Sequence, residues 1–593
     1  MAPERLAAAL ADRDAIESAQ RDPNATNRTG AGTTRMRTSS ACFLLIGLMA
    51  ACDTAPLAAQ ELDAHTRARV DSVFIRYDHT DTPGCAVLVR RDGRTAYARG
   101  FGMASLELGV AITPQAVMDI GSTSNQFTAA AIWLLAQDGR VSIDDEVQRY
   151  LPELPRLAAP VTLRHLLQHT SGWRDYVDLL ALGGAQDEEV TTTSDAMAAL
   201  QRQHAGNFAP GSWWTYSNTG FFLLSQVVER VSGTTMRAFL RERIFAPLGM
   251  THTDLFDDHA RVLRGKASSY GPGDDGWRVV TANWEQTGDG AVQTSVEDLA
   301  KWDANFDTPV VGGRTLIDSL QQPGQLVDGT PLNYASGLFI DRYRSVRRVS
   351  HSGVWAGYRA MSMRFPDQRM AVYLTCNAGD ANTETLAESV ADAVVGSTLG
   401  PSDAELLRDS LRTPARQVVA PLEGLWWDAT VGRLLRVTLS DSVATLGSAL
   451  GGRQRRLRQL PDGWFIQVPV TPLAPRYRLD GATGQLLMES PSGPGVRLTR
   501  VPEAGTLTVA RLAEYAGHYT TAAIPGVWTV EARGDTLWLS QPRRAAVKLE
   551  PLFADGFEAD GQPVLFVRDS RGRVNALSVT TRGLRDLRWT RSP

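Results

Sequence analysis

The most informative segment of the chain is residues 121–137, which have the sequence GSTSNQFTAAAIWLLAQ. Its apolar residues recur at the spacing of one helix face, namely Phe127, Ala130, Ala131, Leu134 and Leu135. The segment therefore predicts a helix that begins close to Ser122. A serine at a helix start lies near backbone N–H donors and the positive end of the helix dipole, which suits an attacking oxygen and an oxyanion. Taken alone, Ser122 is better explained as a helix N-cap.

Segments typical of strands lie on both sides of this helix. Residues 83–89 and 95–98 flank the pair Asp92-Gly93, and this pattern predicts a β-hairpin. Further along the chain, the predicted helices are 221–231 and 297–306, and the predicted strands are 359–365 and 370–375. This order predicts one α/β domain over residues 65–400, with a sheet built from both ends of the segment.

Beyond Pro414 the chain changes to short alternating runs separated by glycine and proline, as in a sandwich or barrel. The sequence Gly424-Leu425-Trp426 has a counterpart about 93 residues later in Gly517-His518-Tyr519, and the two copies end similarly. We predict a linker and two small all-β domains, at 401–416, 417–502 and 507–593.

The amino-terminal residues predict export. Residues 1–35 lack apolar periodicity and are typical of disorder or of a start codon assigned too early. Residues 36–59 combine Arg37, an apolar core too short to span a bilayer, and small residues, as in a secretory signal peptide cleaved after Ala59. The alternative is a lipoprotein signal with lipidation at Cys52. The mature protein is then periplasmic or extracellular, and it contacts a membrane only if it is lipid-anchored.

The composition excludes several classes of protein. A hydrophobic fraction of 43% with 21% charged residues excludes a disordered or fibrous chain of this length, 593 residues. A net charge of −4 offers no general attraction for nucleic acid. Four cysteines exclude a disulfide-stapled scaffold. Lysine is scarce and occurs only at Lys266, Lys301 and Lys548.

Two further motifs follow the segment around Ser122, in a fixed order. They are Tyr216-Ser217-Asn218 and His351-Ser352-Gly353, and each is weak evidence by itself. Together the three resemble the serine β-lactamase and penicillin-binding-protein superfamily, in its class C β-lactamase-related, esterase-like branch. That family has Ser-x-x-Lys, Tyr-x-Asn and Lys- or His-x-Gly motifs in this order. The resemblance extends over residues 65–400 through Thr113-Pro114, 166–172, Pro210-Gly211, 247–250 and 294–300.

The resemblance implies a fold and a set of site residues. The fold is an antiparallel sheet flanked by a helical region, here followed by the two small all-β domains. Ser122 would be the acylated nucleophile, Tyr216 its proton-transfer partner, and the N–H groups of Ser122 and Val354 the oxyanion hole. The implied catalytic residues are Ser122, Tyr216 and His351, and the implied substrate-binding residues are Asn218, Gly353, Val354 and Asn125. The family fold also makes its first and last strands neighbours, so Cys85 and Cys376 form either a disulfide or a pair of buried free thiols.

Asn125 departs from the family motif, because it occupies the position of the motif lysine. The lysine of the family favours the deprotonated forms of the serine and tyrosine and passes protons. An asparagine can form hydrogen bonds but cannot hold a charge or relay a proton at neutral pH. A phenol with an ordinary pKa near about 10 is a poor base without a cation. His351 is the only titratable group in the motifs that could compensate.

Other candidate sites are weaker. His165 and His169 are four residues apart, but without a third ligand they do not predict zinc. Residues 144–146 are more typical of a solvated helix start than of a calcium site, and Trp213-Trp214 of packing than of a cofactor site. We therefore expect no metal and no cofactor.

The sequence predicts an exported serine hydrolase that forms an acyl-enzyme at Ser122 with an ester, amide or peptide. Asn125 predicts that this activity is impaired. The alternative is a catalytically inactive pseudoenzyme that binds peptide-like or cell-wall ligands. In both cases the partner is a small-molecule or peptide-like compound, and no nucleic acid is expected.

Overall fold

The computed structural model describes residues 61–592 except 187, 441–442, 452, 471–473, 491–492 and 506. The predictions for residues 1–35 and 36–59, including lipidation at Cys52, lie outside the described residues. Among the described helices, none combines the length and the apolarity that a membrane crossing requires.

The amino-terminal domain is organised around one antiparallel sheet. The strands of the whole domain are β1 (Cys85–Arg91), β2 (Arg94–Phe101), β3 (Met103–Ser105), β4 (Val110–Ala111), β5 (Met118–Asp119), β6 (Asp254–Leu255), β7 (Tyr270–Gly273), β8 (Gly276–Val279), β9 (Val292–Thr294), β10 (Phe339–Tyr343), β11 (Val346–Trp355), β12 (Tyr358–Phe365) and β13 (Met370–Cys376). The six-stranded sheet has the order β10-β11-β12-β13-β1-β2, so its middle joins strands from the two ends of the domain. The predicted hairpin turns at Asp92-Gly93, where both residues have a positive φ.

Helices cover both faces of this sheet. The helices of this domain are α1 (Ala64–Val73), α2 (Asn125–Gln137), α3 (Leu163–Leu167), α4 (Tyr176–Leu182), α5 (Thr193–Gln201), α6 (Asn218–Ser232), α7 (Met236–Leu240), α8 (Val296–Asp307), α9 (Gly313–Gln321) and α10 (Thr383–Val395). Val87 and Val89 of β1 pack with α1 and α10, whereas Ala86 and Leu88 pack with the helical region that contains α2. The prediction of an antiparallel sheet flanked by a helical region is confirmed.

Two closed eight-stranded barrels follow, after the short helices α11 (Asp403–Leu407) and α12 (Arg416–Val419). The first contains β14 (Gly424–Asp428), β15 (Arg433–Ser440), β16 (Val443–Ser448), β17 (Arg455–Gln459), β18 (Phe465–Val468), β19 (Arg476–Leu479), β20 (Leu486–Ser490) and β21 (Gly493–Val501). After α13 (Val509–Ala513), the second contains β22 (Gly517–Thr520), β23 (Val527–Arg533), β24 (Thr536–Ser540), β25 (Val547–Phe553), β26 (Gly556–Ala559), β27 (Gln562–Arg568), β28 (Val574–Val579) and β29 (Leu587–Arg591). The prediction of two small all-β domains is confirmed.

The barrels repeat each other in detail. Trp426 of β14 donates from Nε1 to the carbonyl of Leu422, four residues earlier, at 2.7 Å. Tyr519 of β22 donates from its hydroxyl to the carbonyl of Tyr515, also four residues earlier, at 2.6 Å. In each barrel, an aromatic side chain of the first strand is therefore hydrogen-bonded to the segment that precedes this strand.

The second barrel packs directly on the amino-terminal domain. Its buried side chains belong to the same hydrophobic cluster as those of α4 and α5. Gln203 donates from Nε2 to the carbonyl of Ala523 at 2.9 Å, and Arg544 donates to the carbonyl of Ala185 at 3.0 Å. Because the hydrophobic cluster is continuous, the two form one packed body.

Candidate active site

Ser122 lies in a single 3₁₀ turn, Gly121–Ser124, that leads directly into α2. Asp119 fixes the turn, because its carboxylate accepts hydrogen bonds from the Gly121 N–H at 2.7 Å and from Nε2 of Gln293 at 2.7 Å. Burial raises the pKa of Asp119 to about 6, against the hydrogen bond from Gly121, which lowers it. Ser122 is thus carried on a fixed backbone at a helix start, as predicted from the sequence.

Strand β11 approaches this turn so closely that two glycines are required. A Cβ atom on Gly353 would lie 1.8 Å from the carbonyl oxygen of Ile120. A Cβ atom on Gly121, which has a φ of 48°, would lie 2.5 Å from the backbone nitrogen of Val354. The close approach brings the backbone of Val354 beside Ser122, which is the arrangement that an oxyanion hole needs.

Asn125 begins a chain of hydrogen bonds in the wall behind Ser122. Its Nδ2 donates to the hydroxyl oxygen of Tyr216 at 2.9 Å. Its Oδ1 is buried without a partner in the described structure, and the residue has no exposed surface. Asn125 therefore contacts the tyrosine of the second motif, as the motif lysine would, but it brings no charge there.

His351 does not contact Ser122 but a buried tyrosine. Its Nε2 is 3.1 Å from the hydroxyl oxygen of Tyr334, and its Nδ1 is 2.6 Å from the carbonyl oxygen of Ser352. A carbonyl only accepts hydrogen bonds, so Nδ1 carries the proton and Nε2 accepts from Tyr334. Burial lowers the pKa of His351 to about 4, against the hydrogen bond to Ser352, which raises it. At neutral pH the imidazole is uncharged.

We expect His351→Gln to change how stability depends on pH. The pKa of His351 is about 4 in the folded protein, against about 6.5 in an unfolded chain. The unfolded chain therefore binds the extra proton between these values, and wild-type stability falls as the pH drops from 6.5 toward 4. The stability advantage of wild type over the variant should shrink by up to about 1.4 kcal/mol per pH unit in this window. Urea unfolding of both proteins at pH 7.0, 5.5 and 4.5 measures the difference in unfolding free energy. A difference that stays constant over this range would contradict the prediction.

Tyr216 is the titratable group of the motifs that lines the cleft with Ser122. Burial raises its pKa above the ordinary range, while hydrogen bonds with Ser122 and Asn125 and the charge of Arg582 lower it less. Because burial dominates, the phenol stays protonated at neutral pH and is a weak base.

The cleft in front of Ser122 has a volume of about 510 Å³. Of the predicted site residues, Ser122, Tyr216, Asn218 and Val354 line it, whereas Asn125, His351 and Gly353 lie in the wall behind. Asn218 is oriented by Asp175, whose carboxylate accepts its backbone N–H at 2.5 Å and its Nδ2 at 3.3 Å.

Several cleft residues were not predicted from the sequence. Lys266, Asp289 and Arg582 line the cleft, and Tyr334 lies behind it. Burial lowers the pKa of Lys266 and raises that of Asp289 to about 7. None of them belongs to a recognisable motif, and Arg582 comes from the second barrel. Only the scarcity of lysine could have drawn attention to Lys266.

The remaining sequence candidates have structural roles. His165 accepts the Thr162 N–H through Nδ1 at 3.2 Å, and His169 accepts the Ser217 N–H through Nδ1 at 3.2 Å. Asp144 is paired with Arg164. Trp213 packs on the core of the first barrel. Each histidine therefore already has a hydrogen-bond partner at Nδ1.

One group in the described part of the chain has the spacing of metal ligands: Asp258, His259 and Glu285. His259 lines the rim of the cleft, and its Nδ1 lies 2.7 Å from the carboxylate of Glu285. This hydrogen-bonded pair is satisfied without an ion.

Known proteins resemble this chain in sequence and in fold. Residues 62–396 match the family model described as Beta-lactamase. A penicillin-binding protein of Bacillus subtilis (strain 168) is 30% identical over 314 residues, which are 50% of this chain and 69% of that protein. A protein named D-aminopeptidase from Cereibacter sphaeroides is 27% identical over 453 residues, which are 76% of this chain and 82% of that protein. The structure of a penicillin-binding protein homologue from Pyrococcus abyssi has a TM-score of 0.51 at 22% identity, and covers 73% of this chain and 98% of its own.

Proposed function

Because this chain belongs to the beta-lactamase family, we propose that it is an exported serine hydrolase whose Ser122 is acylated by an ester, amide or peptide. The observation that carries the proposal is the position of Ser122 at a helix start, beside Tyr216 and the backbone of Val354. A nucleophile needs an oxyanion site and a proton acceptor within reach, and this cleft has a residue for each.

The proposed reaction uses this chain's own groups. Ser122 Oγ attacks the carbonyl carbon and loses its proton, and the carbonyl oxygen becomes an oxyanion between the N–H groups of Ser122 and Val354. Tyr216 takes the proton, since its hydroxyl faces Ser122 in the cleft, and delivers it to the departing alcohol or amine. The acyl group stays on Ser122 until water hydrolyses it.

We propose that this reaction is slow. The raised pKa of Tyr216 leaves few molecules with the phenolate that accepts the proton, and Asn125 supplies no charge that would lower that pKa. The loss of a proton-transfer group typically reduces the rate by about 10²-fold to 10⁴-fold.

The amide of a D-amino acid is the first substrate to test. One relative named D-aminopeptidase aligns with this chain over 453 residues. This alignment is longer than the family domain at residues 62–396, so the similarity extends beyond that domain. Export is supported by the disulfide between Cys85 and Cys376, because such bonds persist mainly outside the cytosol.

A second function, ligand binding without turnover, is favoured by one observation. The uncharged Asn125, which is hydrogen-bonded to Tyr216, and the neutral His351 leave Tyr216 without a charged group from the three motifs. A cleft of about 510 Å³ is large enough for a peptide-like ligand.

The deciding experiment is intact-mass spectrometry after incubation with a fluorophosphonate and, separately, with a penicillin. Wild type should gain one adduct, and Ser122→Ala should gain none. Ser268→Ala, which removes another serine of the cleft, should label like wild type. An adduct that persists in Ser122→Ala would refute the proposal, and the absence of any adduct on wild type would favour ligand binding.

A further inference from the structure

The loop that connects β28 and β29 of the second barrel enters the active-site cleft. Thr581 donates from Oγ1 to the carboxylate of Asp178, and the Gly583 N–H donates to the same carboxylate at 3.2 Å. The Gly583 carbonyl accepts the Asp175 N–H at 3.0 Å and Nδ2 of Asn207 at 2.8 Å. The backbone on both sides of Arg582 is thus fixed to the amino-terminal domain.

The loop fits too closely to be an accidental contact. A Cβ atom on Gly583 would lie 2.4 Å from the Cβ atom of Asp175. The Arg585 N–H donates to Oδ1 of Asn207 at 2.8 Å, and its guanidinium lies 5.1 Å from the ring centroids of Phe208 and Trp213. The barrel therefore presents residue 582 to the cleft in one orientation.

Arg582 is an exposed residue that lines the cleft together with Ser122. The central carbon of its guanidinium lies 5.6 Å from the ring centroid of Tyr216. Within the described residues it makes no hydrogen bond and no ion pair. Asp178 interacts with it through charge, but that carboxylate already accepts hydrogen bonds from Thr581 and Gly583. All five N–H donors of Arg582 therefore remain available.

We propose that Arg582 is a specificity-determining residue that binds a carboxylate of the substrate next to the bond attacked by Ser122. A planar guanidinium matches the two oxygens of a carboxylate, whereas it repels an ammonium group at the same position. This inference rests on the proposed function, because it assumes that the substrate occupies the cleft at Ser122. It specifies the substrate as an ester, amide or peptide that carries a carboxylate.

The test measures binding to Ser122→Ala protein, which cannot be acylated, by isothermal titration calorimetry. The probes are D-alanyl-D-alanine, D-alanyl-D-alaninamide, and D-alanyl-D-isoglutamine, whose carboxylate is on the side chain. We expect one of the two probes with a carboxylate to bind at least about tenfold more tightly than D-alanyl-D-alaninamide. The probe that binds more tightly shows whether Arg582 binds a carboxylate at the end of the main chain or on a side chain. Arg582→Gln should abolish the difference, and Arg582→Lys should retain part of it.

Arg533→Gln is the matched control, since it removes another exposed arginine of the same barrel, one that is hydrogen-bonded to Glu531. It should leave the preference unchanged. Equal affinity for the three probes, including no binding of any, would overturn the proposal, as would a preference that survives Arg582→Gln. Because binding is measured without the nucleophile, a failure of acylation at Ser122 is detected separately by mass spectrometry.

Discussion

Asn125→Lys should raise the rate constant for acylation of Ser122 by about 10²-fold to 10⁴-fold. The new ammonium group would take the place of an Nδ2 atom that lies 2.9 Å from the Tyr216 oxygen. A cation there lowers the pKa of Tyr216, which burial has raised, so more of the tyrosine is available as a base. The substitution removes an Oδ1 atom that has no partner in the described structure, so no hydrogen bond to that atom is lost.

The rate is measured by stopped-flow kinetics with a nitrophenyl ester, which acylates Ser122, and is compared with the rate of phosphonylation of Ser122 by a fluorophosphonate. Asn125→Gln is the matched control, because it lengthens the side chain and keeps the amide without adding charge. It should give no gain. A gain in Asn125→Gln equal to that in Asn125→Lys would show that size rather than charge limits the reaction. A folded Asn125→Lys protein without any gain would show that the proton does not pass through Tyr216.

Reduction of the Cys85–Cys376 disulfide should lower the free energy of unfolding by about 3–5 kcal/mol. The bond joins directly opposed residues of β1 and β13 and closes a loop with a sequence separation of 291 residues. Such a long loop restricts the unfolded chain strongly, which is the main source of stabilisation in the chain-entropy account. Both cysteines are fully buried in the folded protein.

Urea unfolding of the oxidised and the reduced wild-type protein measures this effect without a change of side chain. The double variant Cys85→Ala, Cys376→Ala is the control, and its unfolding should not respond to reductant. Equal unfolding free energies for the oxidised and the reduced wild type would contradict the prediction.

The parts of the site that lie in short motifs could be predicted from the sequence. Ser122 lies in the 3₁₀ turn that leads into α2, and the segment around it predicts this position because helix periodicity and the serine are local features. The neighbouring positions of Cys85 and Cys376 followed from the family resemblance, which left a disulfide and free thiols open. The structure has the disulfide.

The remaining parts depend on contacts that no local pattern encodes. Arg582 reaches Tyr216 only because the second barrel packs on the amino-terminal domain. The motifs offer His351 as a titratable replacement for the lysine, but burial keeps its imidazole neutral and its Nε2 atom accepts a hydrogen bond from Tyr334. Burial also sets the pKa of Tyr216, and it is a property of the packed core.

The sheet order has a consequence for the synthesis of this protein. Strand β1 pairs with β13, and their linked cysteines are separated by 291 residues. Strand β1 therefore cannot pair with β13 until the ribosome has translated these residues. At about 5–20 residues per second the delay is roughly 15 seconds to one minute. During this interval a hairpin of β1 and β2 alone would be only marginally stable, and its unpaired apolar edge would be exposed to aggregation. The yield of native protein should therefore depend on how well chaperones shield this hairpin on the nascent chain.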